Sequence, residues 1–174
     1  GSGFYCGVTA ATAFGSDPSP VLNGSNQYFG YARRGENGVS IDFGVVHRYY
    51  TQYATNDYAD DFVEAYVGVA FPALALRLFM SPNYGGAGAP AAYAEVNATP
   101  FSRGRWSVSA HIGGMLPPST PGPDHGTLLL IDWQLGVTRT LGPLAASLTW
   151  VGQGKTIDDP EVMQKLVVSI GTAF

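Results

Sequence analysis

The sequence predicts an all-β chain of one domain, an antiparallel, up-and-down transmembrane β-barrel of about ten strands. Three observations predict it. Apolar residues recur at every second position over ten segments, the period of a strand with one greasy face. Only 13% of the 174 residues are charged, against about 25% in a soluble globular protein. The connections alternate between short and long, as tight turns on one side of a bilayer and larger loops on the other would produce.

With alternation as the strand signal and clusters of Gly, Pro, Asn, Asp and Ser as breaks, the segments can be taken in order. The first, near residues 3–14, ends at the turn-former-rich Gly15 to Ser25, and the second, 26–34, at Gly35-Glu36-Asn37. The third, 38–51, is followed by Gln52 to Asp60. In the fourth, 61–71, Val63, Ala65, Val67, Val69 and Phe71 oppose Glu64, Tyr66, Gly68 and Ala70, and Pro72-Ala73 closes it. The fifth, 74–81, runs into Pro82 to Pro90; the sixth, 91–100, stops before Phe101 to Gly104. The seventh, 105–115, sets Trp106, Val108, Ala110 and Ile112 against Ser107, Ser109, His111 and Gly113, and leads into Leu116 to Gly126. In the eighth, 127–141, Leu129, Ile131, Trp133, Leu135, Val137 and Leu141 oppose Asp132, Gln134, Gly136, Thr138 and Thr140. Arg139 interrupts its apolar face. Gly142-Pro143 leads to the ninth, 144–153, and Gly154 to Glu161 to the tenth, 162–174, where Leu166, Val168, Ile170, Thr172 and Phe174 share one face. Most segments are near the roughly 9–11 residues of a tilted membrane-spanning strand. Nearly all prolines fall in the predicted connections, as a closed ladder demands, because proline has no N–H to donate.

Composition excludes several function classes. Mean hydropathy is +0.05, and no run of about 18 apolar residues offers a helical span. A net charge of −4 with a pI near 5.1 argues against a nucleic-acid partner. Cys6 is alone, so no intrachain disulfide or thiolate cluster is expected; it reads as a small apolar residue. The opening Gly1-Ser-Gly is not a signal peptide, and any such leader is expected to lie outside this sequence.

Several stretches resemble one family pattern: Ser2-Gly-Phe-Tyr-Cys-Gly-Val8, Asp42-Phe-Gly-Val-Val-His-Arg-Tyr-Tyr50, Phe62-Val-Glu-Ala-Tyr-Val-Gly-Val69, Tyr93-Ala-Glu95 and Asp132-Trp-Gln-Leu-Gly-Val137. The chain resembles the bacterial Gcw_chp family over most of its length. The resemblance implies an outer-membrane barrel without an established activity, and it supplies no catalytic residue. It also implies a further hairpin before the first segment, for about twelve strands, which this sequence does not contain.

On the barrel reading, Arg34, Asp42, Arg48, Glu64, Arg77, Glu95, His111, Asp132 and Lys165 line the lumen. Two aromatic belts are expected, with Phe71, Phe101, Trp106 and Phe174 at the periplasmic rim and Tyr49, Tyr50 and Trp150 at the outer rim. Barrels of about eight strands are filled by side chains, and wide channels appear near sixteen. About ten strands therefore leave two readings, a narrow porin-like channel for small solutes or ions and a plugged barrel with a structural or surface role.

No enzyme, cofactor or metal is expected. His111 has Ser107 and Ser109 nearby in sequence and Asp42, Glu64 or Asp132 as potential orienters, yet no Gly-x-Ser-x-Gly elbow accompanies them. His47, His111 and His125 lack ligand spacing. Gly85-Gly-Ala-Gly88 lacks the lysine and helix of a phosphate loop, and Asp124, Asp158 and Asp159 read as solvated loop acids. The expected partner is the lipid bilayer, with a homo-oligomer or a surface partner engaged through long loops such as Leu116-Pro-Pro-Ser-Thr-Pro-Gly-Pro-Asp124. The competing architecture is a soluble, secreted β-sandwich binding module, in which the apolar face would be core. The shortage of charge for a soluble surface weighs against it.

Overall fold

The structure is a computed structural model that describes residues 1–14, 20–51, 60–84, 89–116, 130–155 and 163–172. Ten strands follow one another: β1 (Ser2–Phe14), β2 (Pro20–Arg34), β3 (Ser40–Tyr50), β4 (Asp60–Ala70), β5 (Leu74–Ser81), β6 (Ala91–Arg103), β7 (Trp106–Leu116), β8 (Leu130–Leu141), β9 (Leu144–Lys155) and β10 (Met163–Thr172). They form one antiparallel sheet in which each strand pairs with its neighbour in sequence. Among the described residues no helix is long and apolar enough to cross a membrane. No ladder joins β1 to β10 among these residues, so the barrel expected from the sequence is met as an open ten-stranded sheet.

Two strands run well past the bounds read from the sequence, β2 at its start and β6 at its end, for one physical reason. Residues 20–25, expected in a connection because of Pro20, Asn23, Gly24 and Ser25, belong to β2. Pro20 occupies the first strand position, opposite Phe14, where a missing N–H costs least. The register shifts between Ala11 and Thr12, so Asn23 is an extra residue on the β2 side, a bulge that lets a turn-former run stay in the ladder. In β6 the strand continues past residue 100 to Arg103, and a second register shift between Ala98 and Phe101 carries Pro100. One correction follows. The first two connections, 15–19 and 35–39, are equal in length, and the long–short alternation begins only with 51–59 and 71–73. Gly104 (φ 61°) and Gly142 (φ 66°) supply the left-handed residue of two tight turns.

The two faces of the sheet reverse the soluble-protein rule. On one face the apolar side chains are exposed, from Phe4 (74%) on β1 to Val168 (73%) and Ile170 (76%) on β10. On the other, Val46, Phe62, Phe79, Ala91, Ser81 and the carboxylate of Glu64 (5%) are buried. This second face is concave, because its side chains touch across intervening strands: Tyr5 of β1 reaches Tyr66 of β4, and Arg77 of β5 reaches Asp42 of β3. Glycines make the tight curvature feasible. A Cβ on Gly44 would collide with the Phe29 carbonyl and the Tyr66 hydroxyl, so the tyrosine ring fills the volume that a side chain would have taken.

Candidate functional site

The strand register arranges the concave face in rows, because side chains two apart on a strand point the same way and cross-strand partners lie side by side. One row runs Asp42, Gly68, Arg77, Glu95, Gly113, Asp132 and Gln153 across β3 to β9. The row nearer the short turns runs Arg34, Ser40, Ala70, Ala75, Asn97, His111, Gln134, Val151 and Lys165. The row on the other side is aromatic: Tyr5, Gly30, Gly44, Tyr66, Phe79, Tyr93 and Met115. All nine residues expected in a lumen share this face: four in the central row, three nearer the turns, and Glu64 and Arg48 one and two rows beyond the aromatics.

Members of the first two rows and the tyrosines Tyr5, Tyr66 and Tyr93 are joined into one continuous polar chain. The Tyr66 and Tyr5 hydroxyls meet, and Tyr5 donates to Asp42. Arg77 donates to Asp42 at 3.3 Å and lies 3.8 Å from Glu95. Asn97 Nδ2 donates to Glu95 at 3.1 Å and its Oδ1 lies 2.8 Å from His111 Nδ1. His111 Nε2 lies 2.7 Å from Asp132, which also accepts from the Tyr93 hydroxyl at 3.1 Å. Arg48 and Glu64 form a separate ion pair, and among the described residues Arg34 and Lys165 make none. The arginines also lie against the aromatic row, Arg77 Cζ 5.5 Å from the Tyr66 ring centre and Arg48 Cζ 5.6 Å from that of Phe79. A recess of about 300 Å³ opens here, lined by Tyr5, Asn26, Tyr28, Arg48, Tyr66 and Phe79 among others.

Chemically, this is a wall that offers hydrogen bonds of both senses and charges of both signs while most of its ions are already paired. Both ring nitrogens of His111 face oxygens of Asn97 and Asp132, with Ser107 and Ser109 on the same face. Among the described residues no group of three or more His, Cys, Asp or Glu is arranged to hold a metal ion. His125, Asp124, Asp158, Asp159 and Gly85 to Gly88 lie outside the described residues.

The expected aromatic belts are placed as follows. Tyr49 takes the apolar-face parity, between Ser25 and Asp61. Tyr50 takes the concave-face parity instead and packs 6.3 Å from Phe62. Trp150 is on the apolar face, edge-on to Trp133 at 6.2 Å, and donates to Gln164 at 3.1 Å. Phe101 and Trp106 are on the apolar face, Phe71 is exposed in the turn before β5, and Phe174 lies outside the described residues.

Three features were missed in the sequence. The sequence reading assigns no role to the tyrosines of the aromatic row, although Tyr5, Tyr66 and Tyr93 each have the parity of the charged set. Asn97, which joins Glu95 to His111, had the same parity signal. The apolar face also holds a polar patch, where His47 bonds to Gln27 and Asp61 at the long-loop end of β2, β3 and β4. Its signal was a histidine on the greasy parity of β3.

Comparison with curated proteins and with solved structures gives no match. A family model described as a bacterial protein of unknown function, Gcw_chp, matches residues 1–168. With 168 of its 174 residues matched, the chain belongs to the Gcw_chp family.

Proposed function

We propose that the chain is an integral β-barrel of the bacterial outer membrane, acting as a narrow, porin-like channel for small solutes or ions with its short turns on the periplasmic side. The observation that carries this reading is the exposure of large apolar side chains on one face across all ten strands, opposite a face that collects most of the ionisable strand residues. In water such a surface would aggregate; in a bilayer it meets lipid, and the polar face becomes a lumen. An even strand number makes β1 and β10 antiparallel, and Phe4, Cys6 and Val8 share a face with Leu166, Val168 and Ile170, so pairing these two edges closes the sheet without turning any strand. Closure also removes two exposed edges.

The mixed-sign wall and its recess support passage of small polar species. A second reading, a plugged barrel with a structural or surface-interaction role, is favoured by the Tyr5–Tyr66 bridge and the pair of half-buried Arg48 with buried Glu64, both of which fill the concave side. Single-channel recording in a planar bilayer separates them. The channel reading expects discrete conductance steps whose ion selectivity changes with Arg77→Gln, whereas inserted but silent protein leaves the plugged barrel. Protein that stays monodisperse in plain buffer without detergent sinks the membrane reading altogether.

A further inference from the structure

The apolar face ends differently at its two margins. At the long-loop end its border is Gln27, His47 and Asp61, with Asp61 well exposed. At the short-turn end it is basic. Arg103 of β6, Trp106 of β7 and Arg139 of β8 are consecutive cross-strand partners on the apolar face, so the indole is flanked by an arginine on each side. Arg139 Cζ lies 5.1 Å from the Trp106 ring centre. Arg105 occupies the turn between them, and its carbonyl accepts from Thr140 N at 2.8 Å, which ties it beside Arg139. All three arginines are exposed, and among the described residues no carboxylate lies within ion-pair distance of any of them. The next row along the same face is Phe101, Val108, Val137 and Leu148. The cluster therefore sits where a greasy surface stops, with three cations lacking a counter-charge.

We propose that Arg103, Arg105 and Arg139, set around Trp106, form a docking site for the headgroup of an anionic phospholipid in the leaflet on the short-turn side. The proposal rests on the membrane reading above. A phospholipid satisfies both halves of the patch: its acyl chains lie along Phe101, Val108 and Val137, and its phosphodiester oxygens accept from the guanidinium forks. Trp106 takes the interfacial position that indoles favour, apolar body down and N–H toward the headgroups. A zwitterionic headgroup brings its own cation and gains less from three arginines than one with net negative charge. The site also accounts for Arg139, which interrupts an otherwise apolar strand face.

The test uses the full chain reconstituted into bilayers of phosphatidylcholine containing brominated phosphatidylglycerol, with tryptophan quenching reporting which lipid surrounds the protein. The expected result is an enrichment of phosphatidylglycerol at the protein surface of about tenfold at low salt, falling with ionic strength. Arg103→Gln/Arg105→Gln/Arg139→Gln abolishes it, and the corresponding triple lysine variant keeps most of it. If the triple glutamine variant does not fold, Arg105→Gln alone, on an exposed turn, still reduces the enrichment by about threefold. Equal quenching by brominated phosphatidylcholine overturns the site while leaving the membrane reading intact. Loss of the enrichment to millimolar inorganic phosphate assigns the cluster to small anions and overturns the lipid. A chain that enters no bilayer overturns both readings.

Discussion

Tyr5 on β1 and Tyr66 on β4 meet hydroxyl to hydroxyl across β2 and β3, directly over Gly30 and Gly44. Two intervening strands would hold these residues far apart on a flat sheet, so the contact measures the curl of the first four strands. The glycines are its condition. Gly44→Ala forces a methyl group into the Phe29 carbonyl, a backbone atom that cannot turn aside, and destabilises the sheet by about 2 kcal/mol. Gly171→Ala, whose Cβ meets nothing within 4 Å, stays within roughly 0.5 kcal/mol of the parent. Urea titration of both variants in detergent checks the difference, and equal midpoints remove the packing role given to Gly44.

Glu64 is the most buried ionisable residue described, and its partner is Arg48. Glu64→Gln leaves a guanidinium lying 5.6 Å from the centre of the Phe79 ring with no carboxylate, which costs about 3 kcal/mol because the charge has been desolvated and is no longer compensated. The double variant Arg48→Gln/Glu64→Gln recovers much of that loss. A double-mutant cycle read by urea unfolding gives the coupling, and additive effects would show that the pair contributes little beyond filling space.

Parity was the legible part of this chain. A strand sends alternate residues to opposite faces whatever surrounds it, so all nine ionisable residues placed on one face from their spacing share that face. Position along the strand was less legible. Pro20 to Ser25 carries every local mark of a loop, and only pairing with Ala10 to Phe14 through a bulge keeps it in the sheet. Tyr50 went to the opposite face from the one expected because β3 continues without a bulge and its parity simply runs on from Arg48. The Arg77–Glu95–Asn97–His111–Asp132 chain depends on how neighbouring strands are aligned, a relation between distant residues that no local pattern carries.

The seam between β1 and β10 can be tested with the single native cysteine. Cys6 is exposed on the apolar face of β1, and Leu166, Val168 and Ile170 occupy that face on β10. If the edges pair, one of Leu166→Cys, Val168→Cys or Ile170→Cys lies within the roughly 4.4–6.8 Å Cα separation that a disulfide spans, and oxidation cross-links that variant within a single chain. The measurement is a mobility shift on a non-reducing gel. Cross-linking only between chains places a second copy at the seam, and no cross-link in any of the three leaves the edges apart.

The medium that meets the apolar face decides whether the sheet belongs in a bilayer, and adjacent positions on β10 put the question cleanly. Val168 is 73% exposed on the apolar face, and Ser169, its neighbour in the chain, points to the opposite one. If lipid covers the apolar face, Val168→Arg costs about 2–4 kcal/mol near the bilayer midplane, while Ser169→Arg, facing the lumen beside polar groups, costs far less. If water covers it, an arginine at so exposed a position changes stability by no more than about 0.5 kcal/mol. Reversible urea unfolding of both variants in phospholipid vesicles measures the difference. A penalty that grows as the arginine is moved from Thr172 toward Leu166 along the same face would further mark the depth of the hydrocarbon, because the cost of a charge rises toward the midplane. Equal, small effects at 168 and 169 would take the lipid away from this face and return the chain to the soluble sandwich.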